Sequence, residues 1–266
     1  MWTCPHCKQP LSLEANVWRC DAGHSYDRAK EGYVNLLPTN RKGSRLPGDN
    51  ADMINARRRV HQAQIYQPLA QALQEQVLSL GPLERLLDLG CGEGYYSKSL
   101  VAVAPQATVQ AVDISRPAVR LGAKRCPEAH FAVASATQLP LADSSIDLVT
   151  SIFAPVEVQE LLRVLQPAAY YLKVTPGPRH LWALREALYA QPRPHAAADV
   201  PLTGFELLRS QALDYERHLA GSQLADLIAM TPFAYRGNPE RRQKLCGSEG
   251  LDLNMSFSIA LYRQAA

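Results

Sequence analysis

The chain has 266 residues, 47% of them hydrophobic, and a formal net charge of +3. That length accommodates one α/β domain plus a small accessory unit. No apolar run approaches the roughly 18 residues that a membrane-spanning helix needs, and no export signal opens the chain, so a soluble, cytoplasmic protein is expected.

The positive charge is concentrated at the start. Residues 1–60 carry ten Lys and Arg against six acids, whereas the remainder carries 18 against 19. Such a distribution suits a polyanionic partner. Within the same segment, Cys4-x2-Cys7 and Cys20-x3-His24 form two close pairs separated by twelve residues. Four sulfur and nitrogen ligands in that arrangement suit a closed tetrahedral zinc site, which lacks an open position and is therefore structural. Zinc binding of this kind contributes on the order of 10–16 kcal/mol to folding, more than so short a segment gains from apolar burial. His6 reads as a loop residue, Cys91 as a small filler, and Cys126 and Cys246 as packing residues.

Residues 38–50, PTNRKGSRLPGDN, are rich in Pro, Gly, Asn and basic groups and read as a linker. From 51 to 80 the apolar residues Ile65, Leu69, Leu73, Val77 and Leu80 recur at helical spacing, which predicts one amphipathic helix. After Gly81-Pro82, strands alternate with helices. The predicted strands are Arg85–Leu89, Thr108–Asp113, His130–Ala134, Ile146–Ile152, Ala169–Thr175, Phe205–His218 and Leu251–Tyr262. The first five, each followed by a crossover, predict an α/β fold with a parallel sheet, and the last two an antiparallel pair at one edge. Three segments follow: a zinc-binding domain over 1–37, a basic linker with its helix over 38–80, and the main domain over 81–266.

Asp88-Leu89-Gly90-Cys91-Gly92-Glu93-Gly94 joins an apolar strand to the helical run 95–104. Glycines let backbone approach a ligand closely, and a helix N-terminus offers free N–H groups. A dinucleotide fingerprint would need glycine at 95 or 97, where Tyr95 and Ser97 stand, and no Gly-Lys-Ser/Thr follows as a phosphate loop requires. The Asp-x-Gly-x-Gly-x-Gly pattern, with Asp113 ending the next strand, instead resembles the class I methyltransferases, whose Rossmann-like sheet has seven strands. The resemblance implies that Gly90, Gly92 and Gly94 wrap the methionine part of S-adenosylmethionine, that Asp88 sits beside its amino-acid end, and that Asp113 accepts both ribose hydroxyls. Ser135, Gln138 and Leu139 fall where that family places its adenine-contacting loop. Ile152-Phe153-Ala154-Pro155 falls where it presents residues to the methyl acceptor. The usual Pro-Gly-Gly turn is here Pro167-Ala168-Ala169, which leaves the geometry of that turn open.

Absent motifs narrow the acceptor. No cysteine lies between 126 and 246 to attack a pyrimidine C5, and no Asp/Asn-Pro-Pro-aromatic loop is present to hold an exocyclic amine. A ring nitrogen or an oxygen remains, for which the protein mainly aligns the nucleophile and handles one proton.

Beyond the cofactor loop, the zinc ligands, AKEGYVNLLP (Ala29–Pro38), Pro47-Gly48-Asp49, DLGCGEGYYS (Asp88–Ser97), TPGPRHL (Thr175–Leu181) and MTPFAYR (Met230–Arg236) resemble the bacterial ribosomal RNA large subunit methyltransferase A family. The resemblance implies zinc and S-adenosylmethionine as cofactors, N1 of a guanine in 23S rRNA as acceptor, and frequent homodimers. Guanine 745 is favoured over guanine 748. It further implies that Phe153 stacks on the base, while Arg179 or His180 orients the guanine or assists its proton's departure. Arg41, Lys42, Arg45 and Arg57–Arg59 are expected to contact phosphates, and Tyr33, Phe153 and Tyr235 taken one by one read as core first, with base stacking as the alternative. The zinc and cofactor sites are expected to belong to separate units, so that losing the metal spares cofactor binding. Two rival readings stand: a small-molecule methyltransferase of the same fold, and a zinc RNA-binding protein that holds S-adenosylmethionine without chemistry.

Overall fold

A three-stranded antiparallel sheet, β1 (Ser12–Glu14), β2 (Val17–Arg19) and β3 (Ser25–Asp27), opens the chain in a computed structural model that describes residues 1–38, 49–195, 201–231, 233 and 238–265. Strand β4 (Val34–Asn35) follows, then α1 (Ala51–Gln62) and α2 (Gln67–Leu78). The alternating region comprises β5 (Arg85–Leu89), α3 (Tyr95–Val103), β6 (Thr108–Asp113), α4 (Arg116–Arg125), β7 (His130–Val133), β8 (Ile146–Ile152), α5 (Val158–Val164) and β9 (Leu165–Pro176). Helix α6 (Trp182–Leu188), β10 (Phe205–Leu219), α7 (Gly221–Ala229), α8 (Pro239–Cys246) and β11 (Leu251–Gln264) complete it.

The large sheet has the order β10-β11-β9-β8-β5-β6-β7-β4. Strands β4 to β9 pair in parallel, while β11 runs antiparallel between β9 and β10. This is the expected seven-stranded α/β sheet with one addition, because β4 pairs Val34 with Ala132 and Asn35 with Val133 at the far edge. The expected single helix over 51–80 is two. Gln64 has a left-handed backbone at φ 59°, and Pro68, lacking an N–H for a preceding turn, restarts the helix near the beginning of α2. At the altered turn, Ala168 adopts φ 61°, so the left-handed conformation a glycine favours is kept by a residue that holds it at some cost.

Alternation along the strands sends neighbours to opposite faces. Leu86, Val109, Ala111, Phe131, Leu148 and Leu172 share a core with residues of α1, α2, α6 and α7. Leu87, Leu89, Val112, Val149 and Tyr171 share the other, and its outer layer is the N-terminal unit: Trp2, Leu11, Trp18, Val34 and Leu36. Backbone bonds extend this joint, with the Thr3 N–H donating to the Pro140 carbonyl at 2.8 Å and the Leu36 N–H to the Val133 carbonyl at 2.9 Å. The first 37 residues are thus packed into the sheet's core rather than tethered beside it.

Trp2 is only 1% exposed. Trp2→Ala is expected to lower the stability of the whole chain by about 3–5 kcal/mol, the usual cost of deleting a buried aromatic ring. Denaturant unfolding followed by circular dichroism and by zinc release checks this, both signals shifting to lower denaturant together.

Candidate cofactor and acceptor site

The ligand atoms of Cys4, Cys7, Cys20 and His24 lie within 4.8 Å of one another. Cys7 Sγ is 3.6 Å from Cys20 Sγ, and Cys20 Sγ is 3.4 Å from His24 Nδ1. Zinc–sulfur bonds of about 2.3 Å in a tetrahedron place sulfurs roughly 3.8 Å apart, so the donor set fits zinc, with His24 presenting Nδ1. Two turns hold the pairs: the Lys8 N–H donates to the Cys4 carbonyl at 2.8 Å and the Gly23 N–H to the Cys20 carbonyl at 2.9 Å. The Tyr26 hydroxyl lies 3.2 Å from Cys4 Sγ, where it supports a thiolate from outside the ligand shell.

The glycine loop leaves the carboxyl end of β5 with Gly90, Gly92 and Gly94 all at positive φ, 73°, 55° and 77°. Asp88 is buried beneath it, accepting from Ser97 Oγ at 2.6 Å and Thr150 Oγ1 at 3.3 Å. Burial pushes its carboxyl up to about 6, against these hydrogen bonds, which favour the charged form. Asp88 therefore ties the loop to α3 and β8. Asp113, at the end of β6, accepts the Gly92 N–H on Oδ2 at 2.9 Å and the Ser115 N–H on Oδ1 at 2.8 Å. Its two oxygens are fixed beside the loop, each with a lone pair left over.

Ser135 and Gln138 close a tight turn, the Gln138 N–H donating to the Ser135 carbonyl at 3.2 Å. Leu139 differs from expectation. Its side chain is fully buried in the core, its N–H donates to Glu160 Oε2 at 2.7 Å, and its carbonyl accepts from Arg163 Nη2 at 2.9 Å. It anchors the turn and has no polar group to offer a ligand.

Helix α1 supplies residues that the sequence did not flag for this site. Glu93, within the glycine loop and 2% exposed, is held by His61 Nδ1 at 2.5 Å and by Arg125. His61 stacks on Tyr95 with ring centroids 4.0 Å apart. Burial lowers the His61 pKa while the Glu93 carboxylate raises it, and burial dominates. No local pattern announces this cluster, since each partner lies 32 residues from Glu93, one on either side of the loop. Two of the α1 arginines expected to contact phosphates have partners within the chain. Arg57 pairs with Asp49 at 2.5 Å, and Arg59 makes a two-pronged bond to Asp226 at 2.7 and 2.6 Å. Arg41, Lys42, Arg45 and Tyr235 lie outside the described residues.

Phe153 sits just past the carboxyl end of β8, 42% exposed and in the left-handed region at φ 58°. An aromatic cluster supports it: Tyr66 at 6.3 Å and Phe257 at 5.7 Å, with Tyr215 a further 5.9 Å from Phe257. The 152–155 loop and the glycine loop touch, because a Cβ at position 90 would collide with the Cβ of Ala154. Tyr33, in contrast, is 3% exposed and accepts from Arg116 Nε at 3.0 Å, so it is core and no stacking platform. Arg179 is exposed, its guanidinium 5.2 Å from the Trp182 ring, on a groove that also presents Asp214, Glu216 and Asn254.

His180 is buried against Phe257, its ring 4.7 Å away, and its Nδ1 accepts the Ser256 N–H at 3.2 Å. Burial, assisted by the nearby His195 and Arg185, lowers its pKa to about 3. The ring stays neutral with its proton on Nε2, so the expectation that it assists a proton's departure is corrected: it positions β11 and the 177–181 loop. The unfolded ring takes up a proton below about 6.5, the folded one only near 3. Stability present at neutral pH is therefore lost as pH falls through that window, by about 1.4 kcal/mol per pH unit from this residue. His180→Gln should flatten the decline by that amount, read from urea unfolding at a series of pH values below neutrality.

Comparisons with known proteins agree with this geometry. Residues 2–45 match the family model described as RlmA, N-terminal, and residues 86–174 the one described as Methyltransferase domain. The chain is 31% identical over 268 residues to the 23S rRNA (guanine(748)-N(1))-methyltransferase of Streptomyces fradiae, spanning 96% of this chain and 95% of that one. A Micromonospora griseorubida protein, provisionally named a 23S rRNA (guanine-N(1)-)-methyltransferase, is 32% identical over 288 residues, 98% of this chain and 96% of its own. A provisionally named methyltransferase of Bacillus halodurans superimposes with a TM-score of 0.51 at 17% identity, covering 73% of this chain and 98% of that chain, which is a likeness of fold alone. Similarity at this level over nearly the whole of both chains, with the zinc ligands and glycine loop assembled as described, makes this chain a member of the ribosomal RNA large subunit methyltransferase A family, S-adenosylmethionine-dependent methyltransferases with an N-terminal zinc ribbon.

Proposed function

We propose that the chain transfers a methyl group from S-adenosylmethionine to N1 of a guanine in 23S rRNA, at guanine 745. The observation that carries the reading is the contact between Gly90 and Ala154, which brings the exposed aromatic face of Phe153 beside the glycine loop. A second reading, guanine 748, is favoured by the name of the Streptomyces fradiae relative. The names of the full-length relatives support N1 over N7, O6 or ribose.

S-adenosylmethionine, when bound, supplies a methyl made electrophilic by its sulfonium. The chain's own residues then have four tasks. Gly90, Gly92 and Gly94 give the methionine part close access to backbone, and Asp88 keeps their loop rigid through Ser97 and Thr150. Asp113, already oriented by two N–H donors, has lone pairs for both ribose hydroxyls, and Ser135 and Gln138 flank the adenine. Phe153 stacks on an extruded guanine, as an enzyme acting on a base edge requires. Arg179 orients the base or its phosphate from the neighbouring loop. Zinc on Cys4, Cys7, Cys20 and His24 supplies folding energy and shapes the RNA-facing unit, while a closed set of four ligands keeps it out of the reaction.

Two outcomes follow. Asp113→Ala should weaken S-adenosylhomocysteine binding at least about tenfold in calorimetric titration, since each lost charged hydrogen bond costs about 1.5–3 kcal/mol. For the product, methylation at N1 blocks the Watson–Crick edge, so reverse transcriptase should arrest one nucleotide before the site on rRNA treated with the protein and read through untreated rRNA. An arrest assigned to guanine 748 selects the second reading; nucleoside mass spectrometry finding the new methyl at N7, O6 or a ribose overturns both.

A further inference from the structure

Arg57 lies across the glycine loop. A Cβ at position 92 would sit 3.6 Å from its Nη1, so the guanidinium faces the backbone of Gly92 with no side chain between them. Its Nη2 is taken by Asp49 Oδ2 at 2.5 Å and by the Met230 carbonyl at 3.4 Å. Among the described residues Nη1 has no hydrogen-bond partner. The segment bearing Asp49 is itself pinned here, its carbonyl accepting from Ser115 Oγ at 3.0 Å, two residues beyond Asp113. Burial pushes the Asp113 carboxyl up, and the Arg57 charge acts against that as a smaller contribution favouring the ionised form. Arg59, two residues on, is committed to Asp226 by both prongs, so of these two it is Arg57 that faces the glycine loop.

We propose that Arg57 recognises the α-carboxylate of the cofactor's methionine moiety. The inference rests on the assignment of the glycine loop to that moiety. A guanidinium N–H donates a charge-assisted hydrogen bond to a carboxylate, and here Nη2 is held in place by Asp49 and the Met230 carbonyl while Nη1 is uncommitted. Asp49 keeps the guanidinium over the loop before the cofactor arrives, so little ordering remains at binding. The consequence is selectivity: the site favours the complete cofactor and its demethylated product over adenosine thioethers that lack the amino-acid tail.

The test compares two ligands on the full zinc-loaded chain. S-adenosylhomocysteine carries the carboxylate, and 5′-methylthioadenosine shares its nucleoside and sulfur but lacks the amino-acid tail. In calorimetric titration, Arg57→Ala is expected to weaken S-adenosylhomocysteine about tenfold to a hundredfold. The affinity for 5′-methylthioadenosine should stay as in the wild type, which also reports an intact nucleoside pocket. Arg57→Lys, which keeps the charge but has one nitrogen where two are needed to reach both Asp49 and the carboxylate, should fall between. Equal losses for both ligands in Arg57→Ala and Arg57→Lys would overturn the proposal, since Arg57 would then act by holding the loop's shape. Unchanged S-adenosylhomocysteine affinity, with weaker binding of a 23S rRNA hairpin, would overturn it in favour of a phosphate contact. Failure of the underlying site assignment has a different signature: Asp113→Ala would then leave both ligands unaffected.

Discussion

Close approach of backbone to backbone at the end of β5 is the constraint on which the rest of the site depends. Gly94 begins α3 at φ 77°, and a Cβ there would lie 2.9 Å from the Cα of Gly122 on α4 and 3.1 Å from the Phe131 ring on β7. Gly90 meets Ala154 with no room for a side chain. One loop thereby sets the packing of α3 against α4 and the distance between β5 and the 152–155 loop. Hydrogen bonds from the Gly92 N–H to Asp113 and from Ser97 to Asp88 then lock it to β6 and β5. A side chain at either glycine would have to move an entire element, not a neighbouring rotamer.

Charge buried around that loop makes α1 part of the site. Glu93 is taken out of water and held by His61 and Arg125, so the desolvation of one carboxylate is offset by partners from two different helices. Removing one member of such a group leaves an uncompensated charge, which is why buried ion pairs join elements firmly even when they contribute little net stability. The stacking of His61 on Tyr95 adds a second tie between α1 and α3. Together with the bond between Arg59 and Asp226 on α7, these contacts place the basic run of α1 inside the molecule's own electrostatics. Only part of the expected RNA-facing charge is therefore free to act outward.

The zinc ribbon is bound up with the same framework. Trp2 and Trp18 are buried in one cluster with Leu11 of the ribbon and with Leu87, Leu89 and Leu141 of the large sheet and its loop. The turn of Ser135 to Leu139 leads directly into this joint, where Pro140 accepts the Thr3 N–H. The expectation of independent units does not hold at the level of packing, since the ribbon and the 135–139 turn meet at one joint. Strand β4 completes the link by extending the sheet beyond β7.

Features written in short stretches of chain were legible before any fold was known. The Cys4-Cys7 and Cys20-His24 pairs, the Gly90-Gly92-Gly94 loop, Asp113 at a strand end, and the parallel strands with a terminal antiparallel pair all depend on residues within a few positions of one another, where spacing and backbone preference act directly. Interactions joining distant segments were not legible. Glu93 finds Arg125 across 32 residues and Arg59 finds Asp226 across 167, and nothing at either end of those pairs names its partner. The same holds for burial. Leu139 looks from its position like a contact residue, and His180 like a proton carrier, until packing removes them from solvent and assigns their polar groups to Glu160, Arg163 and Ser256. Local chemistry determined what this chain can bind; long-range packing decided which charges are spent internally, because only the folded chain sets the distances over which they act.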